Sequence, residues 1–233
     1  PREGIPIVYP HVPSNAVKYI EEVLSTRWIG QGPKVNQFED EFSKRIVENG
    51  YSVAVNSGTS ALHLAYILAG VTEASEVICP VFTCTATNIP ILYLEAVPVF
   101  TDISKSTLNI DIDEIETLIT SKTVAVCVVD YGGLPNDYIR LREICDKYKL
   151  RLIVDCAHSL DTYRNGHHVT HYADYVIYSF QAIKTMTTGD GGMLIVKSLS
   201  DYEKAKRLRW FGIDRASKQK GDWENDVTEV GFK

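Results

Sequence analysis

No apolar run in this sequence approaches the length needed to span a bilayer, and its first residues, PREGIPIVYPHVPSN, lack the charged-then-apolar layout of a secretory signal. A cytoplasmic location is the expectation. Also missing is any basic block or stripe: 24 Lys and Arg stand against 30 Asp and Glu, a formal charge of -6. Nucleic acid is therefore not an expected partner. The five cysteines, Cys79, Cys84, Cys127, Cys145 and Cys156, are odd in number and form no CxxC pair. Reduced thiols, not a disulfide framework, follow. Closely spaced Cys/His ligand pairs are wanting too, and the adjacent His167 and His168 would face opposite sides of a strand, so no metal site is expected. Internal repeats, low-complexity tracts and a convincing interdomain linker are likewise absent.

What remains is a chain of 233 residues, 45% hydrophobic, with charges of both signs spread along it. That is enough for one large domain, or one domain plus an arm, around a sizeable core. Between Val35 and Gly50, Val35, Phe38, Phe42 and Ile46 share one helical face after the loop GQGPK. Alternation then sets in: YSVAVN, EVICP, VPVFTDI, TVAVCVVDY and RLIVD read as strands, separated by the helix-like TSALHLAYILAG, TATNIPILYLEA, DIDEIETLI and DYIRLREICDKYK. Apolar strands alternating with helices predict a three-layer α/β/α protein with a largely parallel sheet. After Asp155 come a long loop, a further strand, a glycine-rich segment leading into another strand, and the helix SDYEKAKRLRWFG. The last residues, DRASKQKGDWENDVTEVGFK, are polar, show no core signal and read as a surface loop.

Three places put polar chemistry at strand ends, where open α/β sheets bind ligands. In Asn56-Ser57-Gly58-Thr59-Ser60 a strand turns into a helix. Free N–H groups and the helix dipole there favour a phosphate, although a plain Ser/Thr N-cap reads the same way. Asp155 ends the RLIVD strand and is followed closely by His158. Its carboxylate can face the ligand crevice or merely cap a turn, and His158 can equally be a core or loop residue. Lys184 stands between Ser179 and the loop Gly189-Asp190-Gly191-Gly192. It reads either as a solvated charge or as the partly desolvated amine that imine chemistry requires. Together the three match pyridoxal 5'-phosphate (PLP): a phosphate cup from Gly58, Thr59 and Ser179, a carboxylate for the pyridine nitrogen, and an amine for the aldehyde.

Here the sequence resembles the DegT/StrS sugar aminotransferases of the fold-type I PLP enzymes. The resemblance runs from about Trp28 to Lys233 through WIGQGPKVNQFEDEF, VAVNSGTSALHLA, CPVFTCTATNIPI, PVFTDI, VDYGGLPNDY, VDCAHS, YSFQAIKTMTTGDGGML and RWFGIDR, closing with EVGFK. It implies a mixed, mostly parallel seven-stranded sandwich, with Lys184 as the Schiff-base lysine and Asp155 on the pyridinium. It also implies His158 near the ring's other edge and Gly58, Thr59 and Ser179 on the phosphate. Some relatives carry histidine instead of the lysine and dehydrate the sugar; Lys184 argues against that branch. Two positions depart from the pattern: Cys84 stands where the family's ring-stacking aromatic is usual, and Phe211 where a histidine often precedes Gly212. Phe82 compensates only if its strand end turns toward the site, a buried core position being the ordinary expectation.

The activity implied is ping-pong transfer of an amino group from glutamate to a nucleotide-linked keto sugar, of the 4-keto-6-deoxy type, in a homodimer with active sites at the subunit interface. Other PLP chemistry on a similar sugar, and a non-catalytic binding or regulatory protein on the same fold, are the alternatives. The resemblance further implies that residues 1–233 form the large domain with an N-terminal arm, and that a smaller C-terminal domain follows EVGFK in relatives. The chain is thus expected to be a fragment of low activity. Lys233 falls where the family places a polar residue that reaches the neighbouring subunit's cofactor phosphate.

Overall fold

The computed structural model describes Gly4, residues 9–215, Ser217, Gly221 and residues 227–233. In chain order come α1 (Ala16–Thr26), α2 (Pro33–Arg45), β1 (Tyr51–Val55), α3 (Gly58–Leu68), β2 (Glu76–Pro80), α4 (Thr85–Tyr93), β3 (Val97–Thr101), α5 (Ile112–Leu118) and β4 (Thr123–Val129). A short 3-10 turn (Tyr131–Gly133) follows, then α6 (Tyr138–Tyr148), β5 (Arg151–Asp155), β6 (Tyr163–Arg164), β7 (His167–His168), α7 (Val169–Tyr172), β8 (Tyr175–Ser179), β9 (Gly192–Val196) and α8 (Leu199–Leu208).

Seven strands form one sheet in the order β1-β9-β8-β5-β4-β2-β3. All run in one direction except β9, which pairs antiparallel with both β1 and β8. This is the mixed, mostly parallel seven-stranded sheet that the resemblance implied, and the alternation had given its largely parallel part. Side-chain alternation along each strand divides the interior in two. Ile78, Val126, Val128, Leu152 and Val154 face the layer of α2, α5 and α6, where Phe42, Ile115, Tyr138 and Leu141 are buried. Their neighbours Val77, Cys79, Ala125, Cys127 and Ile153 face α3, α4 and α8, against Leu62, Ala65, Tyr66, Ile91 and Leu208. Both faces are apolar because both are covered, which is why these strands read as continuous hydrophobic runs.

The structure amends several sequence expectations. Helix α2 begins at Pro33, whose fixed φ and missing N–H suit the first helical turn, and ends at Arg45 well short of Gly50. Ile46 and Val47 still pack on the core beyond the helix, so their apolar spacing extended the apparent period. Helix α1, which the sequence reading passed over, has no buried residue: Val17, Ile20 and Leu24 are 74%, 59% and 60% exposed. The end of the tail is not a free loop. Phe232 packs on His63 at 4.5 Å between ring centroids, and the Phe211 N–H donates to the Phe232 carbonyl. A Cβ at Gly212 would lie 1.7 Å from the Glu229 carbonyl oxygen, so the two segments can cross only because that position is glycine. The segment 218–226 of the expected surface loop, Gly221 apart, lies outside the described residues, as do 1–8 apart from Gly4. Among the described residues no helix is long and apolar enough to cross a membrane.

Candidate active site

Because six strands are parallel, the carboxyl ends of β1, β2, β4, β5 and β8 emerge along one edge of the sheet, joined there by the start of β9. Every site residue named from the sequence lies on a segment leaving that edge.

Asp155 ends β5 and is buried. Thr87, on α4, donates its hydroxyl to Asp155 Oδ2 at 2.8 Å, and the Ala157 N–H donates to Oδ1 at 3.0 Å. Burial raises the Asp155 carboxyl above its ordinary range, against the opposing pull of these two hydrogen bonds and of the neighbouring His158 and Lys184. Among the described residues Asp155 has no ion-pair partner. A buried carboxylate held in place but not neutralised suits a cationic ring nitrogen.

The first turn of α3 supplies the anion end. Ser57 caps it, accepting from the Ser60 N–H at 3.1 Å, and this leaves the Gly58 and Thr59 N–H groups without a partner among the described residues. The Ser57 cap thus coexists with two N–H groups that remain available to an anion. A Cβ on Gly58 would sit 3.0 Å from the Ser179 Cβ, so β8 and the helix start meet with no room for a side chain. Gly192 is tighter still, since a Cβ there would lie 2.4 Å from the Ser57 carbonyl oxygen. Beside this turn a cavity of 570 Å³ opens, lined by Asn56, Ser60, His63, Tyr93, Trp210 and Lys233.

Lys184 is half-buried and lines a small cleft with Ala157 and Ser179. Its loop is pinned at both ends: Phe180 donates its N–H to Gly191, and Thr188 donates to the Phe180 carbonyl. Inside the loop the Lys184 N–H donates to Gln181 at 2.9 Å. Gly189 and Gly191 take positive φ, which lets the return to β9 close in so few residues. His158 is exposed, packs edge-on against Tyr131 at 5.5 Å, and accepts from the Gly132 N–H. Desolvation of the part of the ring that packs inward, together with the Lys184 charge, pushes its imidazole below the usual histidine range, which favours the neutral ring.

The position expected of a ring-stacking aromatic carries Cys84, exposed at the N-cap of α4. Phe82 is not the core residue expected. It is 42% exposed and packs on Tyr131 at 4.7 Å between centroids, so Phe82, Tyr131 and His158 form a row along the strand ends. Phe211, with a positive φ of 60°, is partly exposed and carries Lys233 Nζ over its ring at 5.5 Å. Within its own chain Lys233 also lies over Trp210, 4.9 Å from the ring centroid.

Sequence reasoning missed two supports. Thr87 lies 68 residues from the carboxylate it holds. Asp130, at the end of β4, is fully buried and accepts from Asn136, Tyr138 and Ser159. Burial raises its carboxyl as well, those hydrogen bonds opposing the shift. It ties the 131–136 turn to the 156–159 turn, and so fixes Tyr131 and His158 relative to Asp155. The only local signal for either was a polar residue at a strand end or on a buried helical face.

Residues 11–233 match the model of the DegT/DnrJ/EryC1/StrS aminotransferase family. The chain belongs to that family. Its relatives include GDP-perosamine synthase of Vibrio cholerae, 35% identical over 90% of this chain and 57% of the relative. The spore coat polysaccharide biosynthesis protein SpsC of Bacillus subtilis is 33% identical over 98% of this chain and 60% of its own. Among solved structures, the PLP form of Spr1654 of Streptococcus pneumoniae, assigned as a sugar aminotransferase, superposes with a TM-score of 0.89 at 28% identity, covering 98% of this chain and 62% of the other. A pyridoxamine phosphate (PMP) form of that protein is equally similar. PLP is the cofactor of the family. The chain spans about 60% of the length of the curated relatives it matches.

Proposed function

We propose that this protein uses PLP to move an amino group from glutamate to a keto carbon of a nucleotide-linked 6-deoxy hexose. The observation that carries the reading is the grouping, at one sheet edge, of a buried un-neutralised carboxylate, a half-buried lysine and a helix start with two free N–H groups. Family membership and the relatives' sugar chemistry support it.

In this reading Gly58, Thr59 and Ser179 would hold the phosphate, and the Lys184 amine would hold the aldehyde end of the cofactor. Bound there, PLP supplies an electron sink for bond cleavage at the donor's α-carbon. Asp155 keeps a proton on the pyridine nitrogen, aided by the burial that strengthens the attraction between opposite charges. Thr87 and the Ala157 N–H orient its two oxygens. Lys184, with its amine free, would take up the proton lost from the donor's α-carbon and return it. His158, as a neutral imidazole beside Tyr131, fixes the cofactor's remaining edge. The exposed apolar line of Val17, Ile20 and Leu24 on α1 supports a homodimer, with that helix serving as an arm against the partner.

The test is the first half-reaction. Protein loaded with PLP is mixed with L-glutamate, and 2-oxoglutarate is measured against protein concentration. One equivalent, with loss of the long-wavelength absorbance of bound PLP, is expected. Bound PLP that yields no 2-oxoglutarate would favour different PLP chemistry.

A further inference from the structure

Away from the strand-end site, the segment after α2 meets the corner between β7 and α7. There Glu48, His167 and His171 bring one ligand atom each within 4.8 Å of one another. His167 Nδ1 lies 3.2 Å from Glu48 Oε1, and His171 Nδ1 lies 3.7 Å from the same oxygen. Two ligands of a tetrahedral ion with bonds of about 2.0–2.1 Å sit about 3.3 Å apart, so both distances from the Glu48 oxygen are already close to the required size. We propose that Glu48, His167 and His171 form a binding site for a borderline divalent transition ion such as Zn2+ or Ni2+.

The carboxylate is fixed before any ion arrives. Glu48 Oε2 accepts from the His168 N–H at 2.8 Å, and the Glu48 N–H donates to Thr170 Oγ1 at 3.2 Å. The other oxygen is thereby aimed at the two imidazoles. Strand alternation sends His168 inward, where it is buried and bonded to Thr170 and Tyr178, while His167 faces out. Four residues after His167, His171 stacks on it with ring centroids 4.1 Å apart. Both rings are about half exposed, and turning out of their stack and off the Tyr172 edge brings their Nδ1 lone pairs toward a common point, with water completing the shell. Imidazole ligands select zinc, nickel or copper over magnesium and calcium. Glu48 is separated from His167 by 119 residues, so the three ligands assemble only in the folded chain. The ion is therefore a clip that favours the fold by mass action, not a participant in the amino transfer.

Calorimetric titration of the protein with zinc chloride tests this, with thermal unfolding followed in parallel. One site with micromolar affinity is expected, together with a zinc-dependent rise in Tm that magnesium does not reproduce. His171→Ala and His167→Ala should each weaken binding at least about tenfold, and Glu48→Gln should weaken it in the same direction. Cys84→Ser, which removes the exposed thiol, should bind zinc as the wild type does. Circular dichroism of the three site variants in the absence of metal should match the wild type, since the altered side chains are exposed or keep their size. No binding by the wild type, affinity unchanged in His171→Ala, or affinity lost in Cys84→Ser would each overturn the proposal.

Discussion

Thr87 holds Asp155 across 2.8 Å, joining the first turn of α4 to the carboxyl end of β5. Thr87 is itself placed from both sides: its carbonyl accepts from the fully buried Tyr66 hydroxyl, and its own hydroxyl lies 2.7 Å from that of Thr83. The acid expected to face the cofactor thus depends on a hydroxyl that no local motif announces. Thr87→Val keeps the side-chain shape and removes the donor. It should cost about 1–3 kcal/mol of stability and reduce turnover, because a buried carboxylate oxygen loses its partner. Urea unfolding and a kcat measurement on the same preparation check both effects.

Asp155 makes the stability of the cofactor-free chain depend on pH in a definite direction. Its carboxyl is raised by burial, so the folded chain binds that proton more tightly than the unfolded chain does. The resulting stabilisation is complete below the unfolded value of about 4 and is lost as pH rises through the raised folded value. Asp155→Asn removes this loss while keeping an acceptor for Thr87. The cofactor-free variant should therefore unfold at a higher temperature than cofactor-free wild type near neutral pH, and the gain should vanish at pH below about 4. With PLP present the same substitution should lower turnover at least about a hundredfold, since the ring nitrogen loses its proton.

Gly192 allows β9 to begin against the start of α3. A methyl group there would collide with the Ser57 carbonyl and the Gly58 nitrogen, both backbone atoms that cannot swing aside. Gly192→Ala should cost about 1–3 kcal/mol and weaken PLP binding by displacing the N–H groups of Gly58 and Thr59. Equilibrium PLP titration, compared with a distant substitution of equal stability cost, separates the local effect from general destabilisation.

Glu39 and Arg209 form a buried ion pair linking α2 to the end of α8, with Arg209 Nη1 also donating to the Ala54 carbonyl and the Ala54 N–H donating to Glu39. Removing one partner leaves the other charge buried and unpaired. Glu39→Ala should destabilise by about 3–5 kcal/mol, whereas a double replacement by apolar residues should recover much of the loss. Chemical unfolding of both variants distinguishes a structural clasp from a dispensable surface pair.

Much of the sheet was legible because its strands are short apolar runs covered on both sides, and β1, β2, β3 and β4 are each followed by a helix whose own period is 3.6. The placement of Asp155 and Lys184 at the strand-end edge was legible for a related reason: each sits in a short stretch, VDCAHS or YSFQAIK, that carries its signal locally. What escaped depends on distance along the chain. Thr87, Asp130 and the Glu48 cluster acquire their roles from partners brought close only by the fold. Helix α1 was passed over although Val17, Ile20 and Leu24 share one helical face; among the described residues that face meets no core. The EVGFK segment looked like loop because two close-packed glycines, Gly212 and Gly231, fasten it rather than an apolar stripe.

The most direct test of the whole account is chemical trapping at the lysine. The protein is saturated with PLP, reduced with borohydride, digested and mapped. The account predicts a phosphopyridoxyl label on Lys184, absent from Lys184→Ala prepared identically. A label carried by another lysine, or none on PLP-saturated protein, would contradict it.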